Sequence, residues 1–314
     1  MEPIAGVDLG ATNLRIAVAD GAGDLLASER ASTPQDSDGA AVAQAIAETL
    51  DATADRAGVA VSSLTAVGIG TIGPLDRDAG EVVHPPNLDG VDRIPLRDGL
   101  IPLIGHPRVY VENDAVAGLV GERAARDDPA ENLVYLTIST GIGAGVVVDG
   151  HVLRGRAGNA AEVGHFVVEP DDGRRCGCGA TGHWEAYCSG GGLPGFTREL
   201  AERTGLETDL PVDADFDAAT VFAAAGDDPL ADRVLQAMTR YNAAGLADLV
   251  HAYAPDRIAI GGAVALRNQA RVIEPLSDAV GEHTMLAVPE ITPAAHGEDA
   301  VLTGALTLAA DGGL

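Results

Sequence analysis

Lysine is absent from this chain. The 314 residues include 20 basic residues, and every one of them is arginine. Four chemistries depend on a lysine amine: the GxxxxGK phosphate loop, Schiff-base catalysis, pyridoxal phosphate attachment and the protein-kinase active site. The sequence therefore excludes these four classes of site.

Cysteine and long apolar runs are also scarce. The three cysteines are an odd number and two of them share one short loop, so we expect a reducing environment and no disulfide framework. No apolar run reaches the length that spans a membrane. The first ten residues, MEPIAGVDLG, lack a basic segment followed by an apolar one, which argues against a signal peptide. We therefore expect a cytoplasmic protein with no membrane partner.

Acidic residues dominate the charge. Against the 20 arginines stand 47 Asp and Glu residues, which give a formal net charge of -27. Such a surface repels nucleic acid and anionic lipid, so neither is an expected partner. An acid excess of this size without lysine is typical of proteins from salt-in halophiles, where ions screen the self-repulsion. The alternative is that the acidity only aids solubility.

Apolar periodicity predicts several strands. Segments 4–20 and 133–150 share a layout of apolar strand, Gly-rich turn and apolar strand, which predicts two β-hairpins. Buried strands are also expected in segments 65–74 and 108–115, and RIAIGGAV from Arg257 is expected to be a strand with a diglycine turn.

Helices are predicted between these strands. One is expected from about Ala115 to Arg126, with Asn113 or Asp114 as its N-cap. A longer one is expected in segment 227–254, which has a proline near its first turn and stops at Pro255. Strands that alternate with helices predict an α/β protein. A chain of 314 residues, 46% of them hydrophobic, can bury a large core and is long enough for two domains.

Segment 162–185, EVGHFVVEPDDGRRCGCGATGHWE, concentrates metal-ligating residues in a Gly-rich stretch. His165, Cys176, Cys178 and His183 supply four N and S atoms, the set that a closed structural zinc site requires. The CxC pair alone is a weak signal, and the flanking histidines strengthen it. Cys188 is an alternative to His183 as the fourth ligand, although its apolar surroundings favour a small buried hydrophobe.

Six motifs, taken in chain order, resemble the ROK family of repressors and sugar kinases. They are DLGAT at 8–12, END at 112–114, STGIGAG at 139–145, EVGH at 162–165, CGCGATGHWE at 176–185 and IGGAV at 260–264. Each motif alone is weak, but together they span nearly the whole chain.

This resemblance implies a two-lobed actin-like ATPase fold, also described as ribonuclease H-like, with duplicated mixed sheets flanked by helices and a hexose in the cleft. We expect residues 1–115 and 291–314 to form the small lobe. Residues 116–290, with the zinc loop, would form the large lobe. ROK repressors carry a helix-turn-helix ahead of the DLG motif, which here begins at Asp8, so a DNA-binding domain is not expected.

The resemblance also implies roles for individual residues. Asp114 would be the general base that takes the proton of the sugar 6-hydroxyl. The expected sugar contacts are Gly70, Asn87, Asn113, Asp114, Glu162, His165 and Glu185. The expected nucleotide contacts are Asp8, Gly10, Thr12, Thr140, Gly141, Gly143, Gly261 and Gly262. Asp8 would reach Mg²⁺ through water, and His165 would serve zinc with one ring nitrogen and the sugar with the other.

Simpler interpretations exist for some of these residues. An Asn-Asp pair before a helix is often only an N-cap, and a Gly-rich turn is often only a hairpin turn. An asparagine after two prolines, as at Asn87, is often a turn former.

Together the motifs predict an ATP-dependent hexokinase of glucokinase type, with ATP, catalytic Mg²⁺ and structural Zn²⁺. The alternatives are a kinase for fructose, mannose or N-acetylmannosamine, and a sugar sensor without turnover, which the intact Asp114 argues against. A homodimer or homotetramer is expected, as among relatives. The chain departs from the family pattern at His183, where cysteine is common, at Ile72, where proline is usual, and in its lysine-free surface.

Overall fold

The computed structural model describes residues 2–35, 38–85, 88, 90–125, 130–158 and 160–314. Asn87, one of the expected sugar contacts, lies outside the described residues. The strands are β1 (Ile4–Leu9), β2 (Asn13–Ala19), β3 (Leu25–Ser32), β4 (Ala66–Thr71), β5 (Leu75–Asp76), β6 (Glu81–Val83), β7 (Arg93–Pro95), β8 (Val109–Asn113), β9 (Leu133–Ile138), β10 (Ile142–Val148), β11 (His151–Val152), β12 (Arg257–Gly261) and β13 (Glu290–Pro293).

The α-helices are α1 (Gly39–Arg56), α2 (Leu96–Ile104), α3 (Asp114–Ala124), α4 (Glu185–Cys188), α5 (Leu193–Thr204), α6 (Ala218–Ala224), α7 (Pro229–Tyr253), α8 (Ala263–Arg267), α9 (Gln269–Val272), α10 (Leu276–Gly281) and α11 (Ala300–Asp311). Short 3₁₀ helices cover Val61–Ser63, Arg156–Gly158, Val163–His165 and Gly297–Asp299. None of the described helices is both long and apolar enough to span a membrane.

The chain divides into two compact units. Unit 1 comprises Met1–Pro129, Arg154–Ala160 and Asp299–Leu314, and unit 2 comprises Ala130–Leu153 and Ala161–Glu298. Each unit contains a five-stranded mixed sheet with helices packed on it, which confirms the expected α/β class. The lobe boundaries expected at 115/116 and 290/291 stay a prediction.

The large sheet of unit 1 has the order β3-β2-β1-β4-β8, with β1, β4 and β8 parallel. Strands β1 and β4 are buried at every position, as expected of central strands covered on both faces. The register pairs Asp8 with Gly70 and Gly70 with Glu112. Because the carboxyl ends of parallel strands meet at one edge of a sheet, these residues lie close to one another at that edge.

Helix α3 is held by an unusually close approach of α11. A side chain at Gly304 would overlap with the carbonyl oxygen of Ala117, and one at Gly121 would overlap with the carbonyl oxygen of Ala300. Only glycine lets the two helix backbones pack this closely. The contact matters for the site because α3 begins at Asp114.

The five-stranded sheet of unit 2 has the order β11-β10-β9-β12-β13. Strands β9 and β10 form an antiparallel hairpin, and β12 lies parallel to β9 with Gly261 opposite Thr137. The hairpin turn and the Gly-Gly turn after β12 therefore lie at the same edge of this sheet. Buried apolar side chains of β9, β12 and α7 belong to one hydrophobic core in this unit.

The elements expected from the sequence are confirmed where the structure describes them. Both Gly-turn hairpins form, as β1–β2 and β9–β10. Helix α7 begins after Asp228, whose side chain accepts hydrogen bonds from the N–H groups of Leu230 and Ala231, and it ends before Pro255. Helix α3 begins at Asp114 with Asn113 as its N-cap, while its expected last residue, Arg126, lies outside the described residues.

Candidate functional site

Asn113 and Asp114 occupy the junction between β8 and α3. The Oδ1 atoms of Asn113 and Asp114 both accept from the backbone N–H of Ala115, at 2.9 and 2.7 Å. The N-cap interpretation is thus confirmed for Asn113. It is compatible with a chemical role, because both side chains are only half-buried and can be reached by a small ligand.

Glu112 lies directly before this junction and is almost completely buried. Its carboxylate contacts the guanidinium of Arg77, and the Nη2 of Arg154 lies 3.6 Å from its Oε1. A buried carboxylate is stable only when it is paired, and two arginines from remote segments provide that pairing. Nothing in the sequence pattern marks these two arginines as partners of Glu112.

Asp8 is buried at the end of β1 and is paired with Arg15 across the β1–β2 hairpin. The Nε of Arg15 donates to Oδ2 of Asp8 at 2.9 Å, and its Nη1 donates to Oδ1 of Asp299 at 3.0 Å. Burial raises the pKa of Asp8 above its ordinary value, and the charge of Arg15 opposes that shift. Asp8 is therefore a carboxylate held in place beside the turn that contains Gly10 and Thr12.

Gly70 has a packing reason to be glycine. A Cβ at this position would lie 2.6 Å from Cγ1 of Val301 and 2.9 Å from Cβ of Ala117. The residue thus lets α11 and α3 pack onto β4. Its expected contact with a sugar stays a prediction.

Two glycine-rich turns lie at one edge of the unit 2 sheet. In the β9–β10 turn, Thr140 is exposed and Gly141 is half-buried, as is Gly143 at the start of β10. After β12, a side chain at Gly261 would overlap with the Tyr135 hydroxyl, and Gly262 has a φ of 87° that favours glycine. Turns of this kind can present backbone N–H groups to an anion such as a nucleotide phosphate.

His165, Cys176, Cys178 and His183 form a cluster in unit 2, with all four ligand atoms within 4.8 Å of one another. The Sγ of Cys178 lies 3.2 Å from Nδ1 of His183, and the Sγ of Cys176 lies 4.0 Å from Nδ1 of His165. Tetrahedral zinc, with Zn–S of about 2.3 Å and Zn–N of about 2.0 Å, places neighbouring ligand atoms about 3.3–3.8 Å apart. The residues present therefore fit a zinc ion.

Cys188 is not part of this cluster. It is fully buried, and its thiol points to the carbonyl oxygen of Met238 at 3.6 Å. Burial also raises the pKa of its thiol well above the ordinary value, which disfavours the thiolate that a metal needs. Of the two candidates for a fourth ligand, the geometry favours His183, whose pKa is lowered by burial and by the nearby His165.

Three expected sugar contacts lie on the segments that flank this cluster. Glu185 begins α4, and its Oε2 accepts from the backbone N–H of Ile142, the first residue of β10 after the β9–β10 turn, at 2.9 Å. Glu162 is exposed and precedes the 3₁₀ helix Val163–His165. Because Nδ1 of His165 faces Cys176, its Nε2 is the nitrogen left for another partner.

The chain is similar to known proteins along nearly its whole length. The sequence profile of the ROK family matches residues 4–312. A glucokinase from Pyrobaculum calidifontis is 36% identical over 310 residues, which cover 98% of this chain and 95% of that protein.

Two solved structures are similar along nearly the whole chain. A ROK hexokinase from Thermus thermophilus has a TM-score of 0.80 and 36% identity, covering 98% of this chain and 97% of that one. A ROK glucokinase from Streptomyces griseus, in complex with glucose and AMPPNP, has a TM-score of 0.79 and 32% identity, covering 98% and 99%. These likenesses confirm the expected actin-like ATPase fold.

Proposed function

The chain belongs to the ROK family, and from this membership we propose that it is an ATP-dependent glucokinase. The reaction transfers the γ-phosphoryl group of ATP to the 6-hydroxyl of glucose and yields glucose 6-phosphate, ADP and a proton. The observation that carries the proposal is the similarity to glucokinases along nearly the whole chain, together with an intact Asn113-Asp114 pair at the end of β8.

Asp114 is the proposed general base. Its half-buried carboxylate takes the proton of the 6-hydroxyl as the oxygen attacks the γ-phosphorus. Asn113 uses Oδ1 to cap α3, which leaves its Nδ2 to donate to a neighbouring sugar hydroxyl. The close packing of α11 on α3 holds both side chains in position.

We assign nucleotide contacts to a turn in each unit. In unit 1, backbone N–H groups of the turn around Gly10 would bind phosphate oxygens with Thr12 as a hydroxyl donor, and in unit 2 the turn around Gly141 would do so with Thr140. Gly143 would extend the second turn, and Gly261 and Gly262 would lie against the adenosine. Asp8 is suited to hold the water shell of Mg²⁺, which, when bound, neutralises phosphate charge in the transition state.

Glu162, His165 and Glu185 are the proposed sugar ligands on unit 2, with Gly70 and Asn87 as further sugar contacts. Zinc on His165, Cys176, Cys178 and His183 would fix the loop that carries them. A metal-bound imidazole cannot rotate, so the Nε2–H of His165 would be oriented for a sugar hydroxyl before the sugar binds.

We further propose a cytoplasmic homo-oligomer that works in a salt-rich cell. The net charge of -27 without lysine supports the salt-rich cell, and the three free cysteines support a reducing, cytoplasmic location. The family resemblance supports the homo-oligomer.

The experiment is a coupled assay in KCl with a panel of sugars and phosphoryl donors. Glucose, mannose, fructose and N-acetylmannosamine are each paired with ATP, GTP and polyphosphate. We expect the highest kcat/KM for glucose with ATP. Calorimetric binding of glucose without phosphorylation by any donor would favour a sugar sensor instead, and a higher kcat/KM for another hexose would change the assigned substrate.

A further inference from the structure

The carboxylate of Glu185 lies on the β9–β10 turn. Its Oε2 accepts from the N–H of Ile142 at 2.9 Å, and a Cβ at Gly141 would lie 2.6 Å from the same oxygen. The residue at 141 must therefore be small for the carboxylate to reach the turn.

Other contacts join the β9–β10 turn to the segments around α4 and Gly164. After α4, the N–H of Gly190 donates to the carbonyl of Ser139 at 2.7 Å, and the N–H of Gly191 donates to the carbonyl of Thr140 at 3.0 Å. A side chain at Gly164 would overlap with the carbonyl of Ile142. Both segments that carry the proposed sugar ligands thus contact the chain at or next to the turn.

We propose that Glu185 is a positioning residue for the nucleotide turn 139–142 as well as a sugar ligand, and that this one carboxylate couples sugar binding to nucleotide binding. The inference rests on the proposed function, which assigns this turn to the nucleotide. With Oε2 on the turn, Oε1 is the oxygen that meets a sugar hydroxyl. A sugar that orders the carboxylate then also orders Ile142 and its neighbours, so the nucleotide loses less conformational freedom when it binds second.

The hydrogen bond of Glu185 to the turn favours nucleotide binding, whereas its negative charge disfavours it. An anionic carboxylate beside the turn repels phosphates, so its removal alone would strengthen nucleotide binding. The hydrogen bond and the charge can be separated by substitution. Glu185→Gln removes the charge but keeps an oxygen that can accept from Ile142, whereas Glu185→Ala removes both.

The experiment measures binding of AMPPNP by calorimetry, with and without saturating glucose, in wild type, Glu185→Gln and Glu185→Ala. We expect Glu185→Ala to bind AMPPNP about five- to tenfold more weakly than Glu185→Gln, the effect of one lost hydrogen bond. The glucose-induced gain in AMPPNP affinity should also disappear in Glu185→Ala. Glu185→Asp keeps the charge, but its shorter side chain cannot reach the N–H of Ile142. Its AMPPNP affinity should therefore lack the gain caused by glucose, as in Glu185→Ala. It replaces Glu185→Ala in the test if the alanine variant does not fold.

Glu162→Ala is the matched control. Glu162 is also a proposed sugar ligand, but within the described ranges its side chain has no hydrogen bond to this turn. It should lose glucose affinity while its affinity for AMPPNP without sugar stays within about twofold of wild type.

A reciprocal test starts from the turn. Gly141→Ala should displace the Glu185 carboxylate and weaken glucose binding measured without nucleotide, whereas Thr140→Ala, with its exposed side chain, should leave that affinity within about twofold.

Equal AMPPNP affinities in Glu185→Gln and Glu185→Ala, with an unchanged effect of glucose, would overturn the coupling while the kinase assignment stood. Wild-type protein that binds glucose but no AMPPNP would overturn both.

Discussion

The indole Nε1 of Trp184 donates a hydrogen bond to Oδ1 of Asn242 at 2.8 Å inside unit 2. Trp184 is the only tryptophan of the chain, is fully buried, and lies between His183 and Glu185. On the same helix as Asn242, Gly245 leaves room for the indole ring, because a side chain there would overlap with it. Helix α7 therefore sets the position of the residue between His183, in the His and Cys cluster, and Glu185, the proposed sugar ligand.

Asn242→Ala should lower the free energy of unfolding by about 1–3 kcal/mol, because the buried indole N–H loses its acceptor. The measurement is denaturant unfolding followed by circular dichroism. Trp184→Phe and the double variant complete a double-mutant cycle. A coupling free energy near zero between the two positions would show that the hydrogen bond contributes nothing to stability.

Purified protein should contain about one zinc ion per chain. Cys178→Ser should lose the metal and, with it, glucose affinity, because binding of structural zinc is worth about 10–16 kcal/mol of apparent free energy that otherwise orders the loop. Metal analysis gives the stoichiometry, and Trp184 emission reports the change at the loop independently of activity.

Cys188→Ala is the control for the zinc prediction and should keep the metal, whereas His183→Ala should lose it. The opposite result would make Cys188 the fourth ligand. Active protein without zinc would contradict the proposed metal site altogether.

Glu112→Gln should destabilise the protein by about 3 kcal/mol, because it leaves the guanidinium groups of Arg77 and Arg154 beside a buried site without their counter-charge. Glu81→Gln is the matched control. Glu81 pairs with Arg93 at 2.8 Å, but the Arg93 side chain is 58% exposed, so the loss there should stay below about 1 kcal/mol. Equal losses in denaturant unfolding would show that the burial of Glu112 has no energetic consequence.

Stability should rise with salt. Screening shortens the Debye length from ~10 Å at 0.1 M to ~3 Å at 1 M, which weakens the repulsion among the 47 acidic residues. The melting temperature should therefore increase between about 0.1 M and about 2 M KCl. A melting temperature that does not change over this range would count against the halophilic interpretation.

Local patterns in the sequence were sufficient for much of this fold. Alternating apolar residues around Gly-rich turns predicted both hairpins, and a proline near the first turn and Pro255 after the last marked the ends of α7. The His and Cys residues of the metal cluster lie within one short segment, so their spacing was informative. Pairs that are remote in sequence were not predictable, because they depend on how strands and helices pack. Arg77 and Glu112 are 35 residues apart, and Ile142 and Glu185 are 43 residues apart.

Asp114→Asn tests the central claim most directly. The amide keeps the size of the side chain and an oxygen that accepts from the N–H of Ala115, but it cannot take the proton of the sugar hydroxyl. Coupled turnover with glucose and ATP should fall by about 10²–10⁴-fold, while the variant still binds glucose in calorimetry. Near-normal turnover in Asp114→Asn would contradict the assignment of Asp114 as the general base.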